Sequence, residues 1–92
     1  MTYDREMADL ARDPRQIGNL IRRARKRLKW SQGELAEKAG LRQATISQIE
    51  SGNPAARLET LLTVLAALDL EFQIAPRSKG WGLTLESHLD GP

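Results

Sequence analysis

The chain has no cysteine, which excludes a disulfide framework and thiolate chemistry. Its only histidine, His88, has no second metal ligand in reach by spacing, so neither a metal site nor a cofactor is expected. No apolar run approaches the length of a membrane span. The opening MTYDREMADL lacks the basic-then-apolar order of a secretion signal, so the expected location is the cytoplasm. A nucleophile–base pair, a glycine-rich phosphate loop and a carboxylate cluster are all missing, and nothing argues for an enzyme. Internal repeats and low-complexity tracts are missing too. What remains is a chain of 92 residues, enough for one domain with a modest core, and a net charge of only +2.

That small charge hides an uneven placement. Residues 14–57 hold ten Lys/Arg against three acids, a balance of +7, while residues 1–13 carry −2 and residues 58–92 carry −3. A merely solvated surface would scatter its signs. A positive balance confined to one segment is the electrostatic footprint that phosphate requires.

The same segment contains QGELAEKAGLRQATISQIESG, Gln32 to Gly52, whose pattern predicts a helix-turn-helix. Leu35, Ala36 and Ala39 give a first short helix one apolar face. Ala36 lies where two helices would cross, and a larger side chain would push them apart. Gly40 supplies the left-handed residue of a sharp turn, since without a Cβ it takes positive φ freely. Leu41 plugs the turn, and Ile46 and Ile49 anchor a second short helix. Left outward on that helix is the row Gln43, Ala44, Ser47 and Gln48. An amide can bond adenine through both of its polar atoms, so the row suits base edges in a major groove. The bland alternative is an ordinary helical hairpin inside an all-α domain.

Helix punctuation is legible on both sides. Asp13-Pro14-Arg15-Gln16 reads as a start: an acidic N-cap, proline at the first helical position and a glutamine three after the cap. Ile17, Leu20, Ile21, Ala24 and Leu28 then form one stripe, with Arg22, Arg23, Arg25, Lys26 and Arg27 on the other faces. Ser31-Gln32-Gly33-Glu34 is a second capping box, across which Trp30 can staple onto Leu35. Gly52 can close the recognition helix, and Asn53-Pro54 marks the loop that follows.

From Leu58 to Leu70 runs a further apolar stretch, with Leu58, Leu61, Leu62, Leu65 and Leu68 on one stripe and Val64 beside it. The apolar arc is too wide for one contact surface, so a partner is expected on the spare side. Glu71 to Pro76 alternates polar and apolar, which predicts a short strand ended by proline. A lone strand has unpaired edges, and the simplest remedy is the same strand from a second copy. Leu61, Leu65, Leu68, Phe72 and Ile74 are therefore the expected dimerisation residues. The expected organisation is an N-terminal extension over 1–13, a DNA-binding and dimerisation domain over 14–76 and a flexible tail over 77–92.

Assembled, these residues resemble the Cro/C1-type (XRE) helix-turn-helix regulators. The likeness rests on Trp30-Ser31-Gln32, Glu34-Leu35-Ala36, Lys38 and Gly40, then Gln43-Ala44-Thr45-Ile46-Ser47, then Glu50, and covers roughly Gln16 to Leu70. A strand straight after the last helix and a Trp-bearing tail make the chain similar to HipB-type antitoxins, the DNA-binding partners of HipA-like toxin kinases. The resemblance implies an all-α, lambda repressor-like fold whose C-terminal strand forms an intermolecular two-stranded sheet in a dimer. It also implies a homodimer on a palindromic operator, repressing its own operon and binding a toxin kinase. A stand-alone XRE or phage-type regulator without a toxin partner is the alternative.

Residue by residue, the resemblance puts Gln32 on a backbone phosphate and Gln43, Ala44, Ser47 and Gln48 on base-facing positions, with Thr45 close to the backbone. Arg25 and Glu50 match a pair linking helix 1 to the end of the recognition helix, so Arg25 is either a strut or a phosphate contact. Arg42 departs from the small hydroxyl residue often found at that cap; it weakens the cap but places a cation beside the groove. Arg22, Arg23, Lys26 and Lys38 are candidate phosphate contacts, with a solvated helix face as the duller reading. Trp81, flanked by glycines in a polar segment, is the candidate anchor for a toxin unless it folds back onto the domain.

Overall fold

Local capping chemistry sets the first helix starts. In the computed structural model, which describes residues 9–77, α1 (Pro14–Arg27) opens with Asp13 accepting from the Gln16 N–H and with proline in its first turn. Before α2 (Gln32–Ala39) the capping box closes in both directions: Glu34 N–H donates to Ser31 Oγ, and Ser31 N–H donates to Glu34 Oε1. Then follow α3 (Gln43–Glu50) and α4 (Leu58–Ala67). Between them Asn53 Oδ1 accepts from Ala55 N–H, ordering the loop at Asn53-Pro54.

The four helices of the described residues end in one kind of closure. A left-handed residue follows the last turn, and its N–H and that of the next residue fold back onto last-turn carbonyls. After α2 and α3 that residue is a glycine, Gly40 at φ 70 and Gly52 at φ 89. After α1 and α4 it is Lys29 at φ 62 and Asp69 at φ 61, where a Cβ makes the conformation costly.

The core gathers Ile21 from α1, Leu35 and Ala36 from α2, Ile46 and Ile49 from α3, and Val64, Leu65 and Leu68 from α4 and its end. Trp30, Leu41 and Leu61 pack against it half-buried. Each fully buried aliphatic contributes roughly 1.5–3 kcal/mol, so these few residues carry most of the folding drive. Gly18 permits the tightest helix crossing. A Cβ there would stand 2.4 Å from the Ile49 carbonyl oxygen and 2.8 Å from that of Glu50, so α1 lies backbone to backbone on the end of α3.

Three expectations need correction. Gln16 Oε1 accepts from the Arg12 N–H, one residue before the cap, and not from the cap itself. Leu28 sits at the C-cap of α1 and is exposed. On α4 the buried stripe is Val64, Leu65 and Leu68, with Leu61 half-buried, while Leu58 and Leu62 are 64% and 47% exposed. Among the described residues of a single chain Glu71 to Ala75 forms no strand; the ladder partner expected for it is a second copy.

Candidate nucleic-acid interface

The α2–turn–α3 hairpin separates its two faces cleanly. Gly40 turns the chain, and Leu41 N–H donates to Ala36 O at 2.9 Å, drawing the Leu41 side chain under the turn. Ile46 and Ile49 then point inward and are buried. On the outer side Gln43, Ala44, Ser47 and Gln48 are all exposed, and Thr45 is half-buried at their edge. At the start of this helix Arg42 occupies the N-cap, makes no side-chain capping bond and is exposed. Gln43 leans over the first turn of α2, since a Cβ on Gly33 would come 3.6 Å from its Oε1.

Behind the row lies one polar network. Glu50 takes two hydrogen bonds from Arg25, Nε to Oε2 at 2.7 Å and a terminal guanidinium nitrogen to Oε1 at 3.0 Å. Arg25 donates a third to the Trp30 carbonyl at 2.8 Å. Both residues are 8% exposed. Hydrogen bonding to Glu50, with its negative charge, raises the Arg25 guanidinium further above its ordinary value against the opposing pull of burial. Of the two roles considered for Arg25, the geometry is that of the strut: it is buried and ties α1 to the end of α3. Gln32 joins the same network, its Nε2 donating to Glu50 Oε1 at 3.1 Å. The sequence carried no signal for that bond.

The exposed cations fall into separate places. Arg22, Arg23 and Lys26 line a groove of about 480 Å³ on the outer side of α1, together with Leu10, Gln16, Asn19 and Leu20; no α2 or α3 residue lines it. Within that region Asp9 pairs with Arg23 at 3.6 Å. Lys38 on α2 sits 4.8 Å above the Trp30 ring, so Trp30 both packs on the core and steers a cation.

The expected dimerisation set divides as well. Leu65 and Leu68 are buried in this chain's own core and offer no surface, and Leu61 is half-buried against it. Phe72 and Ile74 are exposed, Ile74 completely, together with Leu58, Leu62 and Leu70. Trp81 and His88 lie outside the described residues. Among the described residues no helix is long and apolar enough to cross a membrane.

Residues 21–74 match the model of the helix-turn-helix family. An antitoxin HipB of Escherichia coli O6:H1 is 34% identical over 73 residues, covering 79% of this chain and 78% of that protein. Among solved structures, the HipB in a HipB-O4 20mer complex superposes with a TM-score of 0.72 at 31% identity, over 77% of this chain and 100% of that one. A chain of a HipA-HipB-O2-O3 complex superposes with a TM-score of 0.70 at 33% identity, again over 77% and 100%.

Proposed function

This chain belongs to the XRE-type helix-turn-helix family and, within it, to the HipB-type antitoxins, and from that premise we propose that it is a sequence-specific repressor of its own operon that also binds a HipA-like Ser/Thr kinase toxin. The observation that carries the reading is the outward row Gln43, Ala44, Ser47 and Gln48, exposed on a helix whose other side is locked into the core. Arg42, Gln32 and Thr45 flank that row at the two helix starts and along its edge, where phosphates run beside a major groove. The exposed Lys38 on α2, and Arg22, Arg23 and Lys26 on the separate outer side of α1, are the further candidate phosphate contacts.

The working unit is a homodimer. Leu58, Leu62, Leu70, Phe72 and Ile74 supply the apolar surface, and the 71–75 segment pairs with its copy about a two-fold axis. Two recognition helices then lie about 34 Å apart on a palindrome. A kinase partner is supported by a neighbour whose structure is a HipA-HipB complex with operator elements. Trp81 is its anchor in this reading, an aromatic side chain for a pocket that the kinase supplies.

The test is fluorescence anisotropy with a duplex from upstream of the gene against a scrambled duplex, followed by purification of the tagged chain from its host. Specific binding with a kinase-like protein co-purifying is the expected result. Specific binding with no kinase would leave the stand-alone regulator, and equal binding to both duplexes would remove the repressor reading.

A further inference from the structure

Glu50 is buried at the end of the recognition helix, yet it does more than neutralise Arg25. Its carboxylate, charged and paired, can only accept. The Gln32 side chain meets it at 3.1 Å, so the Nε2 end of that amide faces Glu50, and one of its two N–H groups is consumed there. The other N–H stays available at the first residue of α2. The capping box has already engaged the N–H groups of Ser31 and Glu34, which leaves those of Gln32 and Gly33 as the first-turn donors beside it.

A solvent-facing glutamine would lose most of its rotamer freedom on being fixed against a phosphate. Here that freedom is already spent in the free protein, because the acceptor holding it is itself fixed by two bonds from Arg25. Resting on the DNA-binding reading above, we infer that Glu50 is a positioning residue for the nucleic-acid contact made by Gln32. The buried ion pair sets the position and polarity of an amide that meets a phosphate oxygen, so a group that never touches DNA conditions the affinity.

The experiment is a double-mutant cycle on the full-length protein, read by anisotropy on a random-sequence duplex at low salt, since a phosphate contact is independent of sequence. Gln32→Ala is made in the wild type and in Arg25→Met/Glu50→Leu, an apolar replacement of the whole pair that such sites often accept without loss of stability. In the wild type Gln32→Ala should weaken binding about tenfold, and in the apolar background by less than about twofold. Equal losses in both backgrounds would overturn the positioning role. A second arm needs no variant to fold: in NMR of the free wild type, the Gln32 side-chain amide should be as ordered as the backbone, unlike that of the exposed Gln48. A Gln32 amide as mobile as that of Gln48 would also overturn it. Wild-type protein that ignores the duplex while Gln32 is ordered would instead bring down the DNA-binding reading and leave the Glu50–Gln32 geometry standing.

Discussion

The hairpin of α2 and α3 and the C-terminal part, α4 with residues 68–77, feed the same core but finish their outer sides in opposite ways. On α3, Ile46 and Ile49 go inward and the outward positions are amides, a hydroxyl and a methyl. On α4, Val64 and Leu65 go inward, and Leu58 and Leu62 face outward, with Leu70, Phe72 and Ile74 continuing the apolar surface. A wet, polar outer face suits the grooves of a polyanion, where hydrogen bonds to base edges discriminate. A leucine face suits a surface that excludes water, which for a domain this small means another protein. The two regions also differ in rigidity of design. The first is braced by Arg25, Glu50 and Gln32 and closed by Gly40 and Gly52; the second has no buried polar brace among its described residues and turns out of α4 through a left-handed aspartate.

The hardest way to break the contrast is to remove half of the brace. Glu50→Ala leaves the Arg25 guanidinium buried without its counter-charge, and the expected loss is about 3–5 kcal/mol. For a small domain that is a large part of all the stability there is. Urea denaturation followed by circular dichroism measures it. A loss under about 1 kcal/mol would mean that water reaches Arg25 and that the brace is not buried in solution.

On α4 the comparison predicts two separable failures. Leu65→Ala opens a cavity in the core and should lower stability by about 2–5 kcal/mol. Leu62→Lys, three residues earlier, should leave the monomer fold within about 0.5 kcal/mol of the wild type while weakening self-association in sedimentation. If Leu62→Lys unfolded the protein and left association intact, the inward and outward sides of α4 would have been assigned the wrong way round.

On α3 the corresponding outward change acts on recognition alone. Gln43→Ala should lose about 1–3 kcal/mol on the cognate site and much less on random DNA, with an unchanged denaturation midpoint. Equal losses on the two DNAs would show that Gln43 is not reading bases.

The same contrast explains what could be read from the sequence. The starts of α1 and α2 were legible because Asp13 and Ser31 act on N–H groups three residues away. The outward row of α3 was legible because Gly40 and Leu41 fix the turn, after which Ile46 and Ile49 fix the phase. On α4 the polar Glu59 and Thr63 mark one outward line but leave a wide apolar arc: Leu58, Leu61, Leu62, Val64 and Leu65 are interchangeable to a pattern, and only packing decides that Val64 is central and Leu62 is out. Gly18 escaped for a related reason. A glycine inside a strong helix signals close approach only in principle, and what approaches it, the Ile49 carbonyl, is 31 positions away in the chain. The Glu50–Gln32 bond is equally non-local and has no motif.

The smallest prediction concerns the two ways of closing a helix. Asp69 holds φ 61 directly after α4, where its N–H and that of Leu70 return to Ala66 and Leu65. A residue with a Cβ is strained there, though aspartate tolerates it better than most, and its negative charge sits at the unfavourable end of the helix dipole. Glycine removes both penalties but adds roughly 0.5–1 kcal/mol of unfolded-chain entropy. The balance for Asp69→Gly is therefore a gain of about 0.5 kcal/mol, or about 2–4 °C in Tm by calorimetry. Lys29→Gly after α1 relieves the same strain but gives up a cation at the favourable end of the α1 dipole, so its gain should be smaller. Both closures would then match those that Gly40 and Gly52 already give α2 and α3. DNA affinity should not move in Asp69→Gly, since Asp69 lies neither on the recognition row nor in the positive 14–57 segment. A fall in Tm for Asp69→Gly would mean that its carboxylate makes a favourable contact in solution, and the weakness ascribed to the C-terminal half would lie elsewhere than in this turn.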